Sequence, residues 1–215
     1  MDFAEKYGPW AIVAGGSEGP GLEYSRQIAA RGVNVLIVAH EEGPLEEAAE
    51  QVRLESNVEV ETALIDLNDL DACDRIVRAV GDREVGLYVS NAGGDPSGAK
   101  FLDRDPQVWE DLLNRNNRTM LYAFHHFGGL MKQRGRGGLL ISGSGACYGG
   151  GPHLVMYCAV KGFSLLFAEG LWAEMKPHGV DVLYLSMSST DTTRDTTRTQ
   201  AARRFPRCAG NTAAR

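Results

Sequence analysis

Trp10-Ala11-Ile12-Val13-Ala14-Gly15-Gly16-Ser17-Glu18-Gly19-Pro20-Gly21 is the stretch on which the fold turns. Its first five residues are apolar and of strand length. A glycine-rich turn follows, and Leu22-Glu23-Tyr24-Ser25-Arg26-Gln27-Ile28-Ala29-Ala30-Arg31 then shows helical spacing. Strand, glycine turn and helix in that order give a glycine motif its meaning. Glycine lets the backbone come close to a pyrophosphate, and a helix N-terminus offers positive partial charge and N–H donors. The spacing Gly15-x-x-x-Gly19-x-Gly21 departs from Gly-x-Gly-x-x-Gly. A glycine-rich turn with no ligand is therefore the competing reading of this stretch taken alone.

Outward from this turn the chain alternates strand and helix. Residues 33–39 are apolar and β-branched, as a strand buried on both faces would be. An acidic helix is expected over 45–54, a strand over 58–65, a helix over 70–80 and a strand over 86–90. One long helix is expected over 106–134, then a strand over 138–142, a helix over 155–176 and a strand over 180–185. This order predicts an α/β fold: one Rossmann-like, doubly wound parallel sheet over residues 1–193, with ligands at the C-terminal strand ends.

A second constellation lies in Tyr157-Cys158-Ala159-Val160-Lys161. Residues four apart share one helix face, so the Lys161 ammonium can sit beneath the Tyr157 ring. A cation there favours phenolate, and such a phenol can pass a proton to or from a carbinol oxygen. Ser144 closes the expected strand upstream, where its hydroxyl could hold the same oxygen. Tyr-x-x-x-Lys alone is a weak signal that any long helix can contain by chance.

Taken in order, these motifs resemble the short-chain dehydrogenase/reductase family over about residues 10–182. The turn Gly15, Ser17, Glu18, Gly19 and Gly21 is similar to its cofactor-binding glycine motif, with Ala14 in a Thr place. Asp66-Leu67 resembles its adenine-contacting pair, and Ser90-Asn91-Ala92-Gly93 its Asn-Asn-Ala-Gly, with Ser90 for the first Asn. Trp109 followed by Asn116 resembles the helix carrying its catalytic Asn, and Ser144 stands thirteen residues before Tyr157, as is usual there. The resemblance implies roles. Tyr157 is the general acid/base, and Ser144 orients the substrate oxygen. Lys161 favours the phenolate and holds the nicotinamide ribose, and Asn116 supports a proton-relay water. Thr192 holds the place of a Thr that contacts the nicotinamide carboxamide.

The chain also departs from the family. Pro20 replaces a residue whose N–H faces the pyrophosphate, and proline has none, although it suits a first helical turn. Met187-Ser188 replaces the usual Pro-Gly after the sixth strand. Cofactor choice is read at the end of the second strand, where an acidic residue suits NAD and a basic one the 2′-phosphate of NADP. Ala39 and His40 lean towards NADP(H), and Glu18 and Glu41 lean against it. NADP(H) is the expected cofactor, ahead of NAD(H). Two readings stay open: an oxidoreductase moving hydride between nicotinamide and a carbonyl or alcohol, and a catalytically weak or idle nucleotide-binding relative acting as sensor or subunit. Tyr148, His153, Leu154 and Met187 are the expected pocket lining.

Composition narrows the class. A chain of 215 residues fits one domain with a sizeable core. A net charge of −6, with no basic stripe in the first 190 residues, gives no sign of nucleic-acid binding. Four cysteines, Cys73, Cys147, Cys158 and Cys208, show neither Cys-x-x-Cys nor metal spacing. His125-His126 reads as a surface or packed pair, since no acidic or Cys partner is spaced with it. No metal is expected. The first six residues are unlike a signal peptide and no apolar run reads as a membrane span, so a cytoplasmic protein with no membrane partner is expected. Leu121, Tyr122, Phe124, Phe127, Leu130, Phe163, Leu166, Phe167, Leu171 and Trp172 exceed what one sheet face would hide, which implies a homodimer or homotetramer. The Arg/Thr/Ala-rich tail, 194–215, is expected to be poorly ordered. It would form no seventh strand and at most a short helix over 196–204, an ending that looks truncated or frame-shifted.

Overall fold

The structure, a computed structural model, describes residues 1–95 and 98–187. In chain order the elements are α1 (Phe3–Tyr7), β1 (Trp10–Ala14), α2 (Gly19–Ala29), β2 (Asn34–Ala39), α3 (Glu42–Glu55), β3 (Val60–Leu64), α4 (Ala72–Val80) and β4 (Val85–Ser90). Then come α5 (Pro106–Leu113), α6 (Thr119–Arg134), β5 (Gly137–Ser144), α7 (Val155–Met175) and β6 (Val180–Met187). The strands form one parallel, six-stranded sheet ordered β3-β2-β1-β4-β5-β6. The expected α/β fold is thus present.

Both sheet faces are covered, which explains the unbroken apolar strands. Every residue of β1 is buried, and its side chains alternate between two cores. Trp10, Ile12 and Ala14 join the core shared with α4, α6 and α7. Ala11 and Val13 join the core shared with α2 and α3. Helix α2 buries Gly21, Ser25, Ile28 and Ala29, one stripe at helical spacing. The connections run outward from β1 to β3 on one side and from β4 to β6 on the other. The crevice between the C-terminal ends of β1 and β4 is where such sheets bind ligands.

Three expectations are corrected. The long helix over 106–134 is two helices, because Asn114–Arg118 winds as a π turn between α5 and α6. Five polar residues set into an apolar helix are the sequence cause, and Asn116 and Asn117 are both buried there. Phe124 and Phe127 pack inward against Tyr88 with ring centroids 5.7 and 5.6 Å away, so they do not belong to the outward apolar face. Residues 155–178 are one helical stretch of 24 residues, long and apolar enough by composition to cross a membrane. Lys161 and Glu169 interrupt the run, which hid it from a search for uninterrupted apolar sequence. It lies against the sheet with Cys158, Val160, Lys161, Ser164, Ala168 and Met175 buried, as a core helix does.

Helix α1 was not foreseen. Its signal is Asp2-x-x-Glu5, a capping box in which the Asp2 carboxylate accepts from the Glu5 N–H at 2.7 Å and the Asp2 N–H donates to Glu5 at 3.2 Å. Among the described residues β6 is the outer strand on its side, with Leu183 and Leu185 exposed. The expectations for Thr192, the tail over 194–215, its short helix and a missing seventh strand lie outside the described residues.

Candidate active site

The site is assembled where β1, β4 and β5 end. Ala14 C=O, the last acceptor of β1, takes the N–H groups of both Asn91 and Ala92 at 2.9 Å. Asn91 Nδ2 then donates to Gly15 C=O at 2.7 Å, fastening the end of β4 to the glycine turn. Helix α2 closes tightly on the same turn: a Cβ at Gly21 would stand 1.9 Å from Gly15 O and 2.6 Å from Asn91 Nδ2. Only glycine fits there. Gly19 and Pro20 form the first turn of α2, as proline's fixed φ favours. The N–H groups of Gly21 and Leu22 return to Glu18 C=O at 3.1 and 3.3 Å. With Pro20 lacking an N–H, the helix start offers one donor fewer to an anion.

The crevice walls hold the other expected residues. Half-buried Asp66 accepts from the Asn68 N–H at 2.9 Å, and buried Leu67 gives its C=O to Thr119 Oγ1 at 3.0 Å. Arg115 donates to Asn68 Oδ1 at 3.2 Å and to Gly94 C=O at 3.4 Å, bridging the two loops. His40 is exposed at the end of β2, with Nε2 3.2 Å from Glu41 Oε1. Sequence motifs contained no signal for Arg115, Thr119 or Asn117, which are lone polar residues that act through tertiary contacts.

Of the expected catalytic residues, Asn116 lies on the π turn, Ser144 ends β5, and Tyr157 and Lys161 lie on α7. Tyr157 and Lys161 share a face of α7, with Lys161 Nζ 5.7 Å from the Tyr157 ring centroid. Lys161 is 5% exposed and donates to Ser142 C=O at 3.1 Å. Its burial lowers the ammonium pKa from 10.5 to about 8, so the group is still mostly a cation at neutral pH. Ser144 Oγ accepts from the Ala146 N–H at 3.2 Å as the chain leaves β5. Asn116 Nδ2 donates to Leu112 C=O at 2.8 Å, while its Oδ1 is buried without a partner. Gly93, at φ +145°, lets that oxygen in: a Cβ there would stand 2.1 Å from it. An orphaned buried acceptor inside a polar crevice suits a water or a ligand hydroxyl. The neighbouring Asn117 reaches the other way, donating to Val160 C=O and Ser164 Oγ at 3.0 Å each, and so locks the π turn to α7. Among the described residues no cluster of His, Cys, Asp or Glu suits a metal.

Known proteins extend the comparison. The short chain dehydrogenase family profile matches residues 9–203. A 7β-hydroxysteroid dehydrogenase of Clostridium sardiniense is 33% identical over 192 residues, covering 89% of this chain and 73% of that protein. A solved structure concerning 7β-hydroxysteroid dehydrogenase stereoselectivity superposes with a TM-score of 0.88 at 28% identity, over 92% of this chain and 76% of the other. A short-chain dehydrogenase of Sphingobium yanoikuyae, in complex with NADPH, gives a TM-score of 0.80 at 27% identity, over 86% and 72%. With a parallel sheet, a glycine turn at its switch point and a family profile that matches residues 9–203, this chain belongs to the short-chain dehydrogenases, a family of NAD(P)-dependent oxidoreductases.

Proposed function

We propose that the chain interconverts a bulky apolar carbonyl compound and its alcohol with NADP(H), using Tyr157 as general acid/base. The observation that carries this is the buried Lys161 cation beside the Tyr157 ring, anchored on Ser142 C=O. The glycine turn with Ser17 and Gly19 would take the diphosphate, Glu18 would face the adenosine ribose and its 2′ substituent, Asp66 and Leu67 would take the adenine, and Asn91, Ala92 and Gly93 the adjoining ribose. The close packing of Gly21 on Gly15 and the vacant Asn116 Oδ1 fit such a group. When bound, the nicotinamide supplies the hydride.

The chain's own residues manage the oxygen and the proton. Ser144 Oγ donates to the substrate oxygen and fixes its direction. In reduction Tyr157 gives its phenolic proton to that oxygen, and Lys161 stabilises the phenolate left behind. Asn116 holds the water that returns a proton. Tyr148, Leu154 and Val155 stand exposed around this cluster, an apolar rim suited to a large alicyclic ketone, in keeping with the steroid named for the Clostridium relative. His40 favours NADP(H). Glu41 beside it weakens that preference.

The test is NADPH and NADH oxidation against a panel running from cyclohexanone to 7-oxolithocholate, with Tyr157→Phe alongside. The variant keeps the ring's packing and should lose about 10²- to 10⁴-fold in kcat while binding cofactor as before. A Tyr157→Phe rate near wild type would remove Tyr157 as the acid. The donor missing at Pro20 favours a second reading, a nucleotide-binding relative of low activity. Cofactor binding with no turnover across the panel would select it.

A further inference from the structure

Tyr184 belongs to no motif in the sequence, yet it reaches the site. It lies on β6 in register with Ile141 of β5. Its hydroxyl accepts from the Ser144 N–H at 3.0 Å and donates to the Ser144 C=O at 3.2 Å. Its ring covers Gly143, where a Cβ would stand 2.1 Å from Tyr184 Cζ. Both main-chain groups of one residue are thus held by one side chain.

Ser144 needs such support. Pairing of β5 with β4 ends at Ile141, β6 accompanies β5 on one side as far as Ser144 opposite Met187, and a 3₁₀ turn, Gly145–Tyr148, begins right after Ser144. Burial pushes the Tyr184 phenol well above its ordinary range, and the Cys147 thiol beside it adds to the rise, against the opposing Ser144 backbone bond. The phenol therefore keeps its proton and can donate and accept at once.

We propose that Tyr184 is a positioning residue: its hydroxyl clasps the main chain of Ser144 and so aims Ser144 Oγ at the substrate oxygen. The clasp stands on geometry alone, and its effect on rate rests on the oxidoreductase reading. A strand-end hydroxyl that swings by about 1 Å loses the alignment on which transfer depends.

Tyr184→Phe tests it, because the ring stays over Gly143 and only the hydroxyl goes. In the full chain, the Ser144 amide should exchange with solvent at least ~10-fold faster, while the Leu139 and Ile141 amides keep their rates. With NADPH and 7-oxolithocholate, kcat should fall roughly ten- to a hundredfold with the KM for NADPH unchanged. In a Ser144→Ala background the same change should cost nothing more, since Tyr184 acts only through Ser144. A purely structural tyrosine would give additive losses. Unchanged Ser144 exchange, or additive losses, would overturn the proposal. A wild-type chain without turnover would count against the oxidoreductase reading instead, and the exchange rates would still decide the clasp.

Discussion

Lys161 shows at residue scale how function is set against stability. Its ammonium is buried with one carbonyl partner, and burial lowers its pKa from 10.5 to about 8. The lowered value means that the folded state disfavours the charged form. Below about pH 8 both folded and unfolded chains carry the cation, and the full penalty applies. Between about pH 8 and 10.5 the folded chain alone loses the proton, so the penalty fades as pH rises. Lys161→Met should therefore stabilise the cofactor-free protein at pH 7, by less than the whole charge penalty because Ser142 C=O loses its donor, while abolishing turnover. Thermal melts from pH 7 to 10.5 should show the variant's advantage shrinking through that window; an advantage that grows with pH would refute the account. The Tyr157–Lys161 spacing made this pair legible in the sequence. Tyr184 was not legible, because a lone tyrosine in an apolar strand reads as packing, and only the register of β6 on β5 brings it to Ser144.

Elements position these residues, and two are decisive. The glycine turn and α2 were read from sequence because glycine spacing and helical periodicity are local signals. What sequence could not reveal is which glycine is indispensable, since that depends on Asn91 arriving from 76 residues away. Gly21→Ala places a methyl 1.9 Å from Gly15 O, against backbone that cannot move aside without lifting α2. It should cost roughly 1–3 kcal/mol of stability, as overpacking does, and weaken NADPH at least ~10-fold by fluorescence titration, since α2 could no longer close on the turn. Gly43→Ala, where a Cβ meets nothing within 4 Å, is the control and should leave binding unchanged. The π turn escaped the sequence reading for the opposite reason. Its five polar residues are continuous with helical sequence on both sides, and the partners that stabilise the wider turn, Val160 C=O and Ser164 on α7, lie more than 40 residues on.

At the scale of the molecule, the unsolved question posed by the surface is what covers α6 and α7. Leu121, Tyr122 and Leu130 on α6 and Phe163, Leu166 and Trp172 on α7 are exposed, Leu166 by 68%. Phe163 stacks on Phe167 with ring centroids 5.8 Å apart, which continues the apolar face towards the core. Sequence counting expected an excess of apolar residues here, and Phe124 and Phe127 moving inward reduce the excess without removing it. Six large side chains on two adjacent helices make a patch of the kind that marks an interface. We propose as the occupant a second copy of the chain, pairing through these same two helices. Isologous pairing places each residue near its own symmetry mate or a neighbour, so one charge is introduced into the interface twice. Leu166→Glu combined with Trp172→Glu should convert a dimer or tetramer to monomer at micromolar concentration. The change lies on the solvent side of α7, away from buried Lys161 and Ser164, so the monomer should keep its fold by circular dichroism. Light scattering on the wild-type chain that returns a monomer mass would sink the assembly outright. A wild-type oligomer that survives both glutamates would move the interface elsewhere on the molecule.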